Sequence, residues 1–258
     1  MVNVVADNFM VFLLVFIRMT GMVSFNPVFG RRNIPVMMRI GLAFMLAITA
    51  TALLPVYDPG LSNPAALGLA AAKELAVGFV IGYVMNIATS VIISAGDIID
   101  NQMGLSMAKI YDPASNIQMA LSASFMNVLF FVMLFLTNGH LSIIRITVLS
   151  FNILPPGIHF FSSDIAVYAA HLFTQMLVYA LKLALPVIAA ELLAETGVGI
   201  LMRAVPQINV FVVGIQLRVL AGLLVMVILC PVIGWFMDGM LADMLTQLEQ
   251  AILAIAGV

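Results

Sequence analysis

The chain has 258 residues, of which 64% are hydrophobic and 9% are charged, and its formal net charge is −2. Soluble domains contain about 25% charged residues, so the composition excludes a soluble domain and predicts an all-α, polytopic membrane protein. Ten basic residues give no nucleic-acid-binding surface. The single cysteine, Cys230, excludes a disulfide framework.

Long apolar segments predict the helices in chain order. About 20 apolar residues are needed to cross a bilayer, and a single domain covering residues 1–258 contains several segments near this length. These are residues 9–29, 40–56, 65–96, 119–137, 141–190 with breaks, and 208–236. The pattern predicts six membrane spans. Residues 238–256 predict an amphipathic C-terminal helix that lies on a partner or a membrane surface, because their leucines recur on one face.

Within these segments, small residues and proline predict local geometry. Gly78 and Gly82 form a small-xxx-small pair, which permits close contact between helices. Pro186 lies inside an apolar segment, where a proline kinks a helix or divides it in two.

Three basic residues interrupt the apolar segments: Arg18, Lys182 and Arg218. A charge at the centre of a bilayer costs about 2.5–3.5 kcal/mol on insertion scales, so each is a candidate functional residue. Two alternatives stay open: the charge reaches the membrane surface from a helix end, or it pairs with a partner subunit. Glu191 and Glu195, one helical turn apart, are predicted to lie at a membrane boundary.

A polar segment, DIIDNQMGLSMAKIYDPASNIQ, covers residues 97–118 between two uncharged apolar segments. Four of its 22 residues are charged and six more are Asn, Gln or Ser. This is longer than a connector between membrane helices requires. The segment is either a solvated loop or a functional element between the walls of a channel.

No catalytic motif is present in the sequence. It lacks the Walker-type GxxxxGK[ST], HExxH and GxSxG patterns. The three histidines, His140, His159 and His171, do not have metal-ligand spacing. The sequence therefore predicts a protein that is not an enzyme and that uses no cofactor and no metal.

Four motifs in order resemble one family, and the similarity covers nearly the whole chain. They are Gln102-Met103-Gly104-Leu105-Ser106 with Tyr111-Asp112-Pro113, then Phe135-Leu136-Thr137-Asn138-Gly139-His140, Ala184-Leu185-Pro186-Val187-Ile188, and Pro206-Gln207-Ile208-Asn209-Val210-Phe211-Val212-Val213-Gly214. Together they resemble the FliR/SctT family of type III export-gate subunits, and its flagellar branch in particular. Ile215-Gln216 departs from the family pattern, in which many members have an aromatic residue and a proline.

The resemblance implies a fold of long, kinked helical hairpins that pack with FliP- and FliQ-like subunits into a helical hetero-oligomeric channel. FlhA- and FlhB-like components would complete the export apparatus, and unfolded flagellar proteins would be the cargo. The implied location is the bacterial inner membrane at the flagellar basal body, with the complex raised toward the periplasm and in contact with membrane lipid.

The resemblance also implies roles for particular residues. The family's central loop plugs the closed pore, and by position it corresponds to Gly104, Leu105, Ser106, Met107, Ala108, Lys109, Ile110, Tyr111, Asp112, Pro113, Ala114, Ser115, Asn116, Ile117 and Gln118. Arg18, Lys182 and Arg218 would then be neutralised at subunit contacts. The last motif assigns a family-specific helix region to Pro206, Gln207, Asn209, Phe211 and Gly214.

A secondary transporter for a small anionic solute is the alternative function. In that case Arg18, Lys182 or Arg218 binds the anion, and Pro186 breaks a helix at the site. Such transporters contain internal repeats. The sequence contains no convincing repeat, which favours the export gate.

Overall fold

The computed structural model describes residues 9–31, 33–55, 60, 63–105, 120–157, 164–204 and 210–257. Within these ranges the regular structure consists of α-helices, with no strand. The helices are α1 (Phe9–Phe25), α2 (Val36–Leu53), α3 (Pro64–Met103), α4 (Leu121–Leu136), α5 (Gly139–Ile153), α6 (Asp164–Ala204) and α7 (Val210–Ala256). The all-α prediction is confirmed.

Four segments in the described part of the chain are long and apolar enough to cross a membrane: Val36–Leu53, Pro64–Met103, Val167–Ile200 and Gln216–Ala256. They make the protein polytopic, as predicted. Helices α4 and α5 have 16 and 15 residues. At about 1.5 Å per residue, each is shorter than the hydrocarbon core of about 30 Å, and the two together count as a fifth span. The described residues thus contain four or five segments that could cross a membrane by length and composition, whereas the sequence predicted six.

Three helices are longer than the apolar segments from which they were predicted. Helix α3 has 40 residues and continues beyond Gly96 to Met103, so the start of the polar segment is helical. Helix α7 has 47 residues and includes Pro231. The C-terminal helix predicted over residues 238–256 is thus a continuation of α7. Helix α6 continues across Pro186 and is not divided there.

The chain forms two compact units. The first comprises Met1–Ala88, Phe135–Phe173 and Leu241–Val258, and the second comprises Thr89–Leu134 and Thr174–Met240. Helices α3, α6 and α7 contribute residues to both units.

In the first unit, α1 and α3 pack against each other through glycines. A Cβ atom added to Gly78 would overlap the carbonyl oxygen of Arg18 and lie 2.9 Å from the nitrogen of Met22. One added to Gly21 would lie 2.9 Å from the carbonyl oxygen of Leu75, and one added to Gly82 would lie 2.9 Å from Phe25. The backbones of the two helices therefore approach as closely as the Gly78–Gly82 spacing predicted.

We expect Gly78→Ala to lower the melting temperature of the purified protein, because the added methyl group forces α1 away from α3. Overpacking of this kind costs about 1–3 kcal/mol. Gly68→Ala is a matched control in the same helix, since a Cβ atom there meets nothing within 4 Å. The control is expected to melt at or slightly above the wild-type temperature, because alanine favours helix over glycine. Equal melting temperatures for the two variants would contradict the close packing.

Candidate functional site

A completely buried arginine forms the centre of a polar cluster in the first unit. Arg18 donates hydrogen bonds from Nε to Glu74 Oε2 at 2.6 Å, from Nη1 to Ser150 Oγ at 3.0 Å and from Nη2 to the carbonyl oxygen of Leu154 at 2.8 Å. Its guanidinium carbon lies 4.2 Å from the ring centroid of Phe151. Every nitrogen of this guanidinium is therefore engaged within the chain.

The partner carboxylate is equally buried and uses both of its oxygens. Glu74 Oε1 accepts a hydrogen bond of 2.9 Å from the backbone N–H of Gly157, which follows Pro155 and Pro156. The hydroxyl of Ser150 in turn donates to the carbonyl oxygen of Thr147 at 2.6 Å. The cluster thus connects α1, α3, α5 and the turn after α5. The sequence identified Arg18 as a candidate but did not name Glu74, a carboxylate within apolar α3.

Arg18→Met is expected to destabilise the protein strongly, because it leaves the carboxylate of Glu74 buried without its counter-charge. Breaking a buried pair costs about 3–5 kcal/mol. Replacing both residues by methionine removes both charges, so the double variant should melt at a higher temperature than Arg18→Met alone. Arg145→Met, at an exposed position of α5, is the control and should change the melting temperature little. A double variant no more stable than Arg18→Met would contradict the pairing.

In the second unit, the polar segment leaves α3 through a helix end that is closed by its backbone. Gly104 has φ 79°, a left-handed conformation that suits glycine. Its N–H donates to the carbonyl oxygen of Asn101 at 3.2 Å, and the N–H of Leu105 donates to that of Asp100 at 3.0 Å. Glycine in this conformation commonly ends a helix, so α3 ends where the predicted plug begins.

Asp100 also binds the helix that follows the polar segment. Its Oδ2 accepts a hydrogen bond of 2.6 Å from the N–H of Leu121, and its Oδ1 accepts one of 3.1 Å from the N–H of Ser122. The carboxylate thus satisfies free N–H groups in the first turn of α4, where a negative charge also interacts favourably with the helix dipole. Asp100 is buried. One side chain therefore fixes the two ends of residues 104–120 to each other.

Two further contacts hold the same helices together. A Cβ atom on Gly96 would overlap the backbone of Ala123, and the hydroxyl of Ser122 lies 3.9 Å from the sulfur of Met103. We call Asp100, Met103, Gly104, Leu121 and Ser122 the loop base. It joins the two helix ends between which the polar segment runs.

Charged residues of α6 and α7 adjoin the loop base. Arg218 donates a hydrogen bond to Oε1 of Glu195, and its Cδ would lie 3.9 Å from a Cβ atom on Gly104. A Cβ atom on Gly222 would lie 2.5 Å from both Glu191 Oε1 and Met103 Cγ. Glu191 is 1% exposed and belongs to the apolar segment Val167–Ile200; that it lies at a membrane boundary stays a prediction.

The other predicted site residues lie as follows. Lys182 is exposed on α6, with its ammonium nitrogen 5.8 Å from the ring centroid of Tyr179. Of the predicted plug, Gly104 and Leu105 are described, and residues 106–118 lie outside the described residues. Pro206, Gln207 and Asn209 also lie outside them. Phe211 and Gly214 belong to α7, and the side chain of Phe211 is outside the described part.

The described side chains form no centre for metal binding. Across residues 9–31, 33–55, 60, 63–105, 120–157, 164–204 and 210–257, no three His, Cys, Asp or Glu residues are grouped to hold a metal ion. The chemistry that this geometry offers is the pairing and exchange of charges between helices.

Comparison with known proteins gives full-length matches. The family described as bacterial export proteins, family 1, matches residues 9–244. The flagellar biosynthetic protein FliR of Bacillus subtilis (strain 168) is 31% identical over 259 residues, covering 99% of both chains. FliR of Escherichia coli (strain K12) is 31% identical over 236 residues, covering 92% of this chain and 90% of the relative. FliR of Pectobacterium carotovorum is 32% identical over 244 residues, covering 92% and 93%.

Proposed function

Because this chain belongs to the bacterial export proteins, family 1, we propose that it is a subunit of the flagellar type III protein export gate. The observation that carries the proposal is the similarity to FliR over 99% of the length of both chains. The apolar composition and the four or five spans agree with a component of a membrane export channel.

In this proposal the chain assembles with FliP- and FliQ-like subunits in the bacterial inner membrane, and FlhA- and FlhB-like components join them. Unfolded flagellar proteins pass through the channel. Exposed apolar surface supports assembly: on α2 the large exposed side chains are Val36, Met37, Met38, Ile40, Phe44, Met45 and Leu53. Contiguous apolar surface of this kind is covered by lipid or by partner chains. Methionine suits such contacts because it adapts to irregular surfaces.

Isolation of the tagged protein from its native membrane in mild detergent tests the assembly. We expect FliP- and FliQ-like subunits to co-purify in a single particle, identified by mass spectrometry. An untagged strain gives the background. Recovery of this chain alone, or only with copies of itself, would contradict the gate and would favour an independent transporter.

We further propose that residues 104–118 plug the closed pore. The loop base supports this role, because Asp100 joins the end of α3, where the segment begins, to the start of α4, where it ends. The composition supports it as well: polar residues are suited to a wet pore, and the apolar residues Leu105, Met107 and Ile110 are suited to sealing it. A plug attached at both ends can move without leaving the channel.

Deletion of residues 105–116 should leave assembly intact and make membranes permeable to ions and small solutes. Assembly is retained because the deletion keeps Asp100 and its two N–H partners. Conductance of the purified complex in planar bilayers measures the effect. A variant with the same residues in scrambled order controls for loop length and composition. Equal conductance of the deleted and wild-type complexes would remove the plug from the proposal.

A further inference from the structure

The carboxyl group of Glu191 is buried in an apolar helix without full pairing. The residue is 1% exposed and lies within the span Val167–Ile200. Among the described residues, its Oε1 atom has no hydrogen-bond partner. Buried polar groups are almost always hydrogen-bonded, and an ionised carboxylate without a partner is the least favourable case. The proposed export function does not account for this group.

Among the described residues, one further carboxyl group and one guanidinium lie close enough to act on the Glu191 carboxyl. They are Arg218 of α7 and Glu195 of α6, the helix that also carries Glu191. Arg218 donates to Glu195. Gly222 of α7 and Met103 of α3, which lie beside the same point, carry no charge. The acid of α3 nearest in sequence to Met103, Asp100, is engaged by the N–H groups of Leu121 and Ser122.

We infer that Glu191 is a proton-binding site, occupied by a proton in this structure, and that its proton and Arg218 compete for the same carboxylate. In the protonated state Glu191 is neutral, and Arg218 pairs with Glu195. When the proton leaves for water, the Glu191 carboxylate is the more deeply buried anion and draws Arg218 from Glu195. Arg218 needs to move only a short distance from Glu195 to Glu191, because residues four apart on a helix have Cβ atoms about 6 Å from each other.

A movement of Arg218 between the two carboxylates would affect the loop base through packing. The Cδ atom of Arg218 lies next to Gly104, at 3.9 Å from the position of a Cβ atom there. Gly104 is the first residue after α3 and has φ 79°. Movement of Arg218 toward Glu191 would change the surroundings of Gly104 at the start of the polar segment. Proton binding follows from the burial and charges alone, whereas its effect on transport rests on the proposed function.

Infrared spectroscopy of the native complex in lipid vesicles tests the proton site directly. A protonated carboxyl group gives a carbonyl stretch separate from that of a carboxylate. We expect such a band at neutral pH, its conversion to a carboxylate band at alkaline pH, and its loss in Glu191→Gln. Glu195→Gln is the matched control, one turn away on the same helix, and should retain the band.

Either of two results would overturn the proton site: no difference between wild type and Glu191→Gln in this band, or failure of Glu191→Gln to assemble. Glutamine has nearly the shape of a protonated glutamate and carries no charge. Loss of assembly would therefore mean that the negative charge itself is required. Neither result depends on the identity of the cargo or on the plug, so this inference can fail while the export gate stands.

A fluorescent label at the loop base tests the coupling. The background is Cys230→Ser, which removes the single cysteine, and Leu105→Cys carries an environment-sensitive dye. Raising the pH should shift the emission of the assembled complex, and Glu191→Gln and Arg218→Gln should each abolish the shift. A shift that persists in both variants, or that is absent from the otherwise wild-type complex, would contradict the coupling.

Discussion

Each charge within the apolar helices needs a counter-charge or a full set of hydrogen bonds, because neither hydrocarbon nor a protein interior solvates an ion as water does. This constraint determines the packing of the first unit. The guanidinium of Arg18 donates hydrogen bonds to a carboxylate, a hydroxyl and a carbonyl oxygen, and it packs over the face of an aromatic ring. Satisfying one buried cation thereby fixes the positions of α1, α3 and α5, and the glycines of α1 and α3 allow the approach that the short bonds require.

The same constraint explains why Asp100 caps a helix from a distance. Four N–H groups are free at the start of any helix, and in α4 two of them are satisfied by a carboxylate that lies 21 and 22 residues earlier. A cap from the preceding residue would leave the two ends of the polar segment independent. A cap from α3 joins the two ends into a single structural support.

Sequence alone predicted the class of the fold and the positions of most helices, since long apolar segments have few other stable structures in a membrane. It also predicted the close approach at Gly78 and Gly82. It could not predict the partner of Arg18, because Glu74 lies 56 residues away and only the packing of α1 on α3 joins them. Hydropathy also predicted that α3 ends at Gly96, because charged residues such as Asp97 and Asp100 are typical of a loop. The helix continues because the carboxylate of Asp100 finds donors in α4.

The two charge clusters differ in the ratio of acids to bases, and this decides what each can do. At Arg18 one guanidinium meets one carboxylate, every nitrogen and both oxygens are engaged, and neither residue is exposed. A one-to-one pair of this kind, buried on both sides, suits a fixed contact between helices. At Arg218 one guanidinium lies near two carboxyl groups, and its pair with Glu195 is partly exposed, at 37% and 44%. The second acid offers Arg218 an alternative partner, and in the inference drawn above a proton on Glu191 selects between the two. The Arg18 cluster therefore suits a structural support, and the Arg218 cluster suits a part of the protein that moves.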